Sequence, residues 1–381
     1  RDLRMSRGLG DVYKRQVRQT RRQSSCLHPG IDHLLFNGDR LLLYTTWVVL
    51  LAITLLASCS RSAEHGFRSS EEAIKAYADF FQTVKNTESI TTDRLVELTR
   101  QWYALDDSVA SCITRDSMAA HASARQEIIH DSLRFHMGRL IDKRQWTFTD
   151  YLTIIESLNR VETDTVSLPL VASAHRFYAG LDSVSTYGTN AARTIELYQK
   201  MLDQTLKDGF QSKADIITFL RKEDMAFRSF LEHLPAYGDI PLDDITTQTG
   251  EVIRHIIDLS MKEHPLFGKE ELVILLTVRN NRRLLQNALV CLDEIRHNNR
   301  IADGNRSTAY LWMLLQPWIS FDELSYALLS ERQTNALRRL AKETPKAAKQ
   351  LKSSGFPLEV DGLPALLIKS YITNINQYPI I

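Results

Sequence analysis

One charge-free apolar run constrains this chain more than any other feature. Leu41 to Ala57 holds no charged residue, follows Arg40 directly, and closes on Ser58 and Cys59. As a helix it spans roughly 25 Å, marginal for a hydrocarbon core of about 30 Å. Thr45, Thr46 and Thr54 weaken it further as a permanent span. A basic residue, an apolar stretch and small residues at the end are the layout of a secretory signal. The alternative is an uncleaved N-terminal anchor. Both readings place everything after residue 58 outside the cytoplasm.

Leu56-Ala57-Ser58-Cys59 resembles the lipobox of bacterial lipoprotein signal peptides. That resemblance implies cleavage before Cys59, whose sulfur then carries a diacylglycerol. Ser60 follows the cysteine in place of the aspartate that redirects sorting, so the resemblance implies the outer membrane. Only Glu64 is acidic between Ser60 and His65, which favours a periplasm-facing position over surface display.

Residues 1–39 are set aside. Their segment Arg1–Gln16 ends in GDVYKRQ, which resembles translated sequencing-adapter sequence, and Val17–Asp39 contains no methionine. This changes the electrostatics. The whole chain carries 47 Lys/Arg and 46 Asp/Glu, but residues 1–58 hold nine of the former and four of the latter. From Cys59 onward the balance is 38 against 42, a net charge of −4, so charge gives no support for a nucleic-acid partner. Signal peptide 40–58 and a lipidated cysteine with polar tether, 59–70, precede the folded body.

Beyond the tether the apolar period is helical almost throughout. Ser70 opens a helix in which Ile74, Tyr77, Phe80 and Phe81 share a face, and Thr92 or Asp93 starts a second through Leu105. Further helices are expected near 117–142, 149–160, 166–182, 190–208, 213–234, 243–262, 269–298, 307–316, 321–343 and 361–375. Ser320 with Glu323 reads as a capping box, and Thr344-Pro345 as a helix end followed by a new start. No alternating strand pattern and no fixed repeat period occurs. The expectation is an all-α globular bundle of about a dozen helices, with an α-solenoid as the alternative. PAYGDIP, residues 235–241, is the best division, giving helical units 71–234 and 242–381. Cys112 and Cys291, the two cysteines after Cys59, are too few for a disulfide framework or a zinc site, and are expected to be buried thiols.

The sharpest chemical pattern is a pair of Glu-x-x-His spacings, Glu127/His130 and Glu294/His297, the ligand spacing of di-iron helical bundles. On helical wheels both pairs fall away from the apolar stripe, so they are weak metal candidates, and no cofactor is expected. No GxSxG, HExxH, GxGxxG or Walker A sequence is present, and no catalytic residue is nominated. The segment Tyr310–Trp318 is the most apolar after the signal and is expected at the centre of the bundle. From Arg279 to Lys352 there are 13 Lys/Arg against seven Asp/Glu. Arg279, Arg282, Arg283, Arg296, Arg300, Arg338, Arg339, Lys342, Lys346 and Lys349 are expected to be solvated faces of amphipathic helices. The partners expected are therefore the membrane, through Cys59, and an envelope protein or glycan.

Asp-Ser/Thr-apolar tripeptides occur at Ser108, Ser117, Ser132, Thr165 and Ser183. They resemble the O-glycosylation acceptor motif of extracytoplasmic proteins in the Bacteroidota. The resemblance implies glycans at Ser108, Ser117, Thr165 and Ser183, while Ser132 falls within a predicted helix. Asp-Ser pairs also favour helix starts and turns without any glycan. Peptides containing Ser183, taken from the native host, are expected to show a mass increment. Unmodified peptides at full coverage would remove the acceptor reading.

Overall fold

The computed structural model describes residues 67–115, 120–159, 167–181, 191–232, 243–262, 265–297, 304–351 and 359–374. Thirteen α-helices and no strand occur among them: α1 Ser70–Lys85, α2 Thr92–Arg115, α3 Ala120–Asp142, α4 Phe148–Leu158, α5 Leu168–Gly180, α6 Ala191–Asp208, α7 Lys213–Glu232, α8 Asp243–Ser260, α9 Lys269–His297, α10 Gly304–Ser320, α11 Glu323–Ala327, α12 Glu331–Gln350 and α13 Leu363–Asn374. The apolar run 41–57 and Cys59 lie outside the described residues. No described helix is long and apolar enough to cross a membrane.

Local chemistry sets several ends. Ser69 accepts from the Glu72 N–H at the start of α1, and Thr147 with Asp150 forms a reciprocal capping box on α4. Gly209 ends α6 with φ +66°, a left-handed position, while its N–H donates to Thr205 O at 2.9 Å. Three expected boundaries need correction. Ser320 is the last residue of α10, and the cap of α11 is Asp322, whose carboxylate accepts from Ser325 N–H. The single helix expected over 321–343 is two, because Ser330 and Gln333 form their own capping box and restart the chain as α12. Thr344-Pro345 does not end that helix. Thr344 and Ala347 are buried with Leu337, Leu340 and Ala341, and this packing carries α12 through a proline that lacks the backbone N–H. α2 also runs ten residues past Leu105, carrying Val109, Cys112 and Ile113 into the core.

The apolar interior forms two clusters. The first is built by α1–α4, the C-terminal half of α9, α10, α12 and α13. The second is built by α5–α8 and the N-terminal half of α9, with Leu324 and Leu328 from around α11. Residues 235–241, where a division was expected, lie outside the described residues. The clusters interleave along the sequence: the chain leaves the first core after α4, builds the second, and returns through α9. Packing between distant segments, α13 on α3 and α12 on α4, makes the body globular, where a solenoid would pack only successive helices. Gly138 permits one such approach. A Cβ there would sit 2.9 Å from Lys369 Cε, whose Nζ reaches Asp142 at 2.7 Å.

The apolar segment 310–318 is central, as expected. Trp318 is buried and its ring lies 4.9 Å from Phe148, with Tyr151 edge-on at 6.3 Å. Cys112 and Cys291 are both buried free thiols, and burial pushes the Cys291 thiol up to about 12, so it is held as an apolar thiol.

α9 threads both cores, so they should unfold together. Leu275→Ala in the second core and Leu285→Ala in the first are each expected to cost about 2–5 kcal/mol. Each should shift one shared denaturation midpoint without splitting it. Two separable transitions, each sensitive to one substitution, would contradict a shared helix.

Candidate functional site

The densest polar constellation lies between α7 and the middle of α9. Glu223 and Asp224, adjacent on α7, are fully buried. Arg279 donates to Glu223 through Nε at 3.1 Å and Nη2 at 2.9 Å. Arg283 also pairs with the Glu223 carboxylate and donates to its carbonyl at 3.3 Å. The Tyr198 hydroxyl of α6 completes the shell at 2.7 Å, and Thr249 of α8 donates to that hydroxyl at 3.5 Å. Asp224 takes two longer contacts from Arg282, each 3.4 Å. Arg283 also lies 4.1 Å over the Phe227 ring. Burial by itself would raise the Glu223 pKa, but Arg279, Arg283 and the Tyr198 hydroxyl outweigh it and hold the carboxyl at about 2.

This cluster corrects the expected solvated basic face. Arg279 and Arg282 are buried and Arg283 nearly so, because α7 brings two carboxylates against them. Further along, Arg296, Arg338 and Arg339 do lie at the surface, paired with Glu343, Glu156 and Asp293. Wheels centred on residues 284–297 missed the buried node. The signal lay upstream: three arginines within five positions of a helix that is apolar on both sides.

A second constellation joins α1, α2 and α3. The buried Tyr77 hydroxyl donates to Asp106 Oδ1 at 2.6 Å and accepts from the Trp102 indole at 3.0 Å. His130 Nδ1 lies 3.1 Å from that hydroxyl and 3.4 Å from Asp106, to which Gln126 also donates. With the phenol O–H directed at Asp106 and the Trp102 N–H directed at the phenol oxygen, His130 fits this hydroxyl as a donor through Nδ1. Burial would raise Asp106, but hydrogen bonds from His130 and Tyr77 outweigh it and hold the carboxyl below its usual range.

A third feature is a polar trench between α6 and α8. Two open recesses, about 320 and 330 Å³, share Glu251. One holds Phe210, Arg254, His255 and Asp258, with the Phe210 and His255 rings stacked at 6.1 Å. The other holds Asp203 and Gln248, joined by a 2.7 Å hydrogen bond.

The residues expected from sequence are dispersed. Glu127 is exposed on α3, apart from the bonded His130. His297 bonds its own helix at Asp293 O, and Glu294 is half-buried beside it on α9. No group of three potential metal ligands occurs among the described residues. Ser108 is 9% exposed within α2 and donates to Ala104 O, presenting little surface to a glycan. Ser132 likewise donates to Ile128 O in α3. Ser117, Thr165 and Ser183 lie outside the described residues, as does Cys59. No protein-family model matches the chain, and neither a curated protein nor a solved structure matches it.

The Glu223 shell has a defined pH signature. A carboxyl depressed from about 4.5 to about 2 contributes stability that is fully present above pH 4.5 and lost as pH falls toward 2. Glu223→Gln should cost about 3–5 kcal/mol at pH 7 by urea denaturation, since it strands buried guanidinium groups. That deficit should shrink as pH falls from 4.5 toward 2. A deficit independent of pH would contradict the ionic origin.

Proposed function

We propose that this chain is a lipid-anchored protein of the bacterial cell envelope whose helical body is a non-catalytic binding or scaffold module. The observation that carries the placement is the charge-free run behind Arg40 that ends in Leu-Ala-Ser-Cys59. An outer-membrane position facing the periplasm follows from Ser60 and the sparse acidity after it; surface display is the alternative. The binding reading draws on how the body distributes its polar groups. Glu223 and Asp224 are enclosed in contacts with arginines and a tyrosine, the pattern of a structural node. The trench along α6 and α8 instead presents amide, carboxylate, guanidinium and imidazole groups to solvent, beside a stacked aromatic ring. Such a surface suits a polar envelope ligand, a glycan or a protein segment.

A helical envelope enzyme is the second reading, favoured by one observation. Asp106 and Tyr77 engage His130 on Nδ1, and among the described residues no hydrogen bond to Nε2 occurs, an orientation that suits a general base. Elemental analysis of the purified body separates part of this: stoichiometric iron, manganese or zinc would favour the enzyme.

Fractionation tests the anchor. Wild-type protein is expected in the membrane fraction with Cys59 acylated, and most of the Cys59→Ala protein in the soluble fraction or retained as the uncleaved precursor. Mature Cys59→Ala protein that stays wholly on the membrane would rule out a lipid-only tether.

A further inference from the structure

The apolar residues of most helices here are gathered on one face, and α3 is the clearest departure. Its outward stripe reads Arg125, Ile128, Ser132, Phe135, Arg139, spaced three and four residues apart and therefore on one line of the helix. Ile128 is 67% exposed and Phe135 62%, the former the most exposed large apolar side chain described. Arg139 holds its guanidinium 6.0 Å from the Phe135 ring centroid. Two bare apolar side chains bracketed by arginines form the arrangement in which apolar groups enter an interfacial layer while long cationic stems stay in the headgroups.

The tether argues for what meets this stripe. α1 and α3 are neighbours running in the same direction, since Tyr77 meets His130 and Phe81 meets His136. Phe67, just before α1, therefore lies at the end of the body where α3 begins. Eight residue steps separate it from Cys59, a reach of at most about 27 Å. A lipid on Cys59 thus keeps the end of the body where α1 and α3 begin within that reach of the headgroups. A second copy of the chain fits less well. The two side chains offer on the order of 200 Å² of apolar area, against about 800 Å² per partner in a stable interface.

We propose that the Ile128–Phe135 stripe of α3 rests on the bilayer to which Cys59 is tethered, orienting the body on the membrane. This rests on the lipid-anchor reading above. Glu127 and Asp131 flank the stripe and offset its basic residues, so attachment comes from the apolar pair and not from net charge. The trench between α6 and α8 belongs to the other core and stays away from the lipid.

The test uses lipidated full-length mature protein on vesicles of phosphatidylethanolamine with a minority of phosphatidylglycerol. Ser132→Cys or Thr247→Cys carries an environment-sensitive fluorophore; both natural cysteines of the body are buried. The label at 132 is expected to shift to the blue and lose access to dithionite on vesicle binding, while the label at 247 on α8 keeps access. Adding Ile128→Ser and Phe135→Ser should abolish the protection at 132, with vesicle binding and thermal midpoint retained. Equal access at both positions in vesicle-bound protein would overturn the proposal and leave the anchor intact. Protection at 132 already present without vesicles would overturn it in favour of self-association. Failure of the unsubstituted lipidated protein to bind vesicles would instead overturn the anchor reading on which the proposal rests.

Discussion

The body is organised around charge that has been taken out of water. Glu223 and Asp224 sit fully buried on α7, and they are tolerable only because Arg279, Arg282 and Arg283 arrive from α9 at the same level. The ion pairs hold α7 alongside the middle of α9. Tyr198 and Thr249 then tie α6 and α8 to the same node. The N-terminal half of α9 closes the second core, its C-terminal half closes the first, and the arginines stand at the changeover. A hydrophobic replacement could pack as well; what the charges add is a match between one level of α7 and one level of α9.

The consequence for function is a division of labour. The deepest charged groups of the second core hold helices together, and on the reading proposed above a ligand would meet the periphery. The surface features differ in kind: a polar trench on the second core, and an apolar stripe on α3 of the first. A short tether ahead of α1 brings the first core close to any lipid on Cys59. The trench then opens from the part of the body that the tether does not hold.

The all-α class was legible because the apolar period of 3.6 persists through most of the chain and strand alternation is missing. Most helix limits followed from Gly, Pro and capping residues, as at Gly209. The failures share a cause. Thr344-Pro345 reads locally as a break, but tertiary packing of Leu340, Ala341 and Ala347 outweighs a missing hydrogen bond. Ser320 reads as a cap, but the carboxylate of Asp322 reaches the free N–H of Ser325 better placed. The partners of these arginines were hidden for the same reason. Nothing near Arg279 announces Glu223, which lies 56 residues away in sequence and meets it only in the folded body. The Tyr77–Asp106–His130 cluster likewise unites three helices: Tyr77 reads locally as a core position and His130 as half of a Glu-x-x-His spacing, and neither pattern points to the other.

A double-mutant cycle on Glu223→Gln and Arg279→Met reads the governing interaction directly. If the buried pair sets how α7 lies against α9, the two substitutions should be strongly non-additive, with a coupling of about 2–3 kcal/mol at pH 7. Additive effects would mean that apolar packing alone positions α9, and that the buried charges are incidental to the fold.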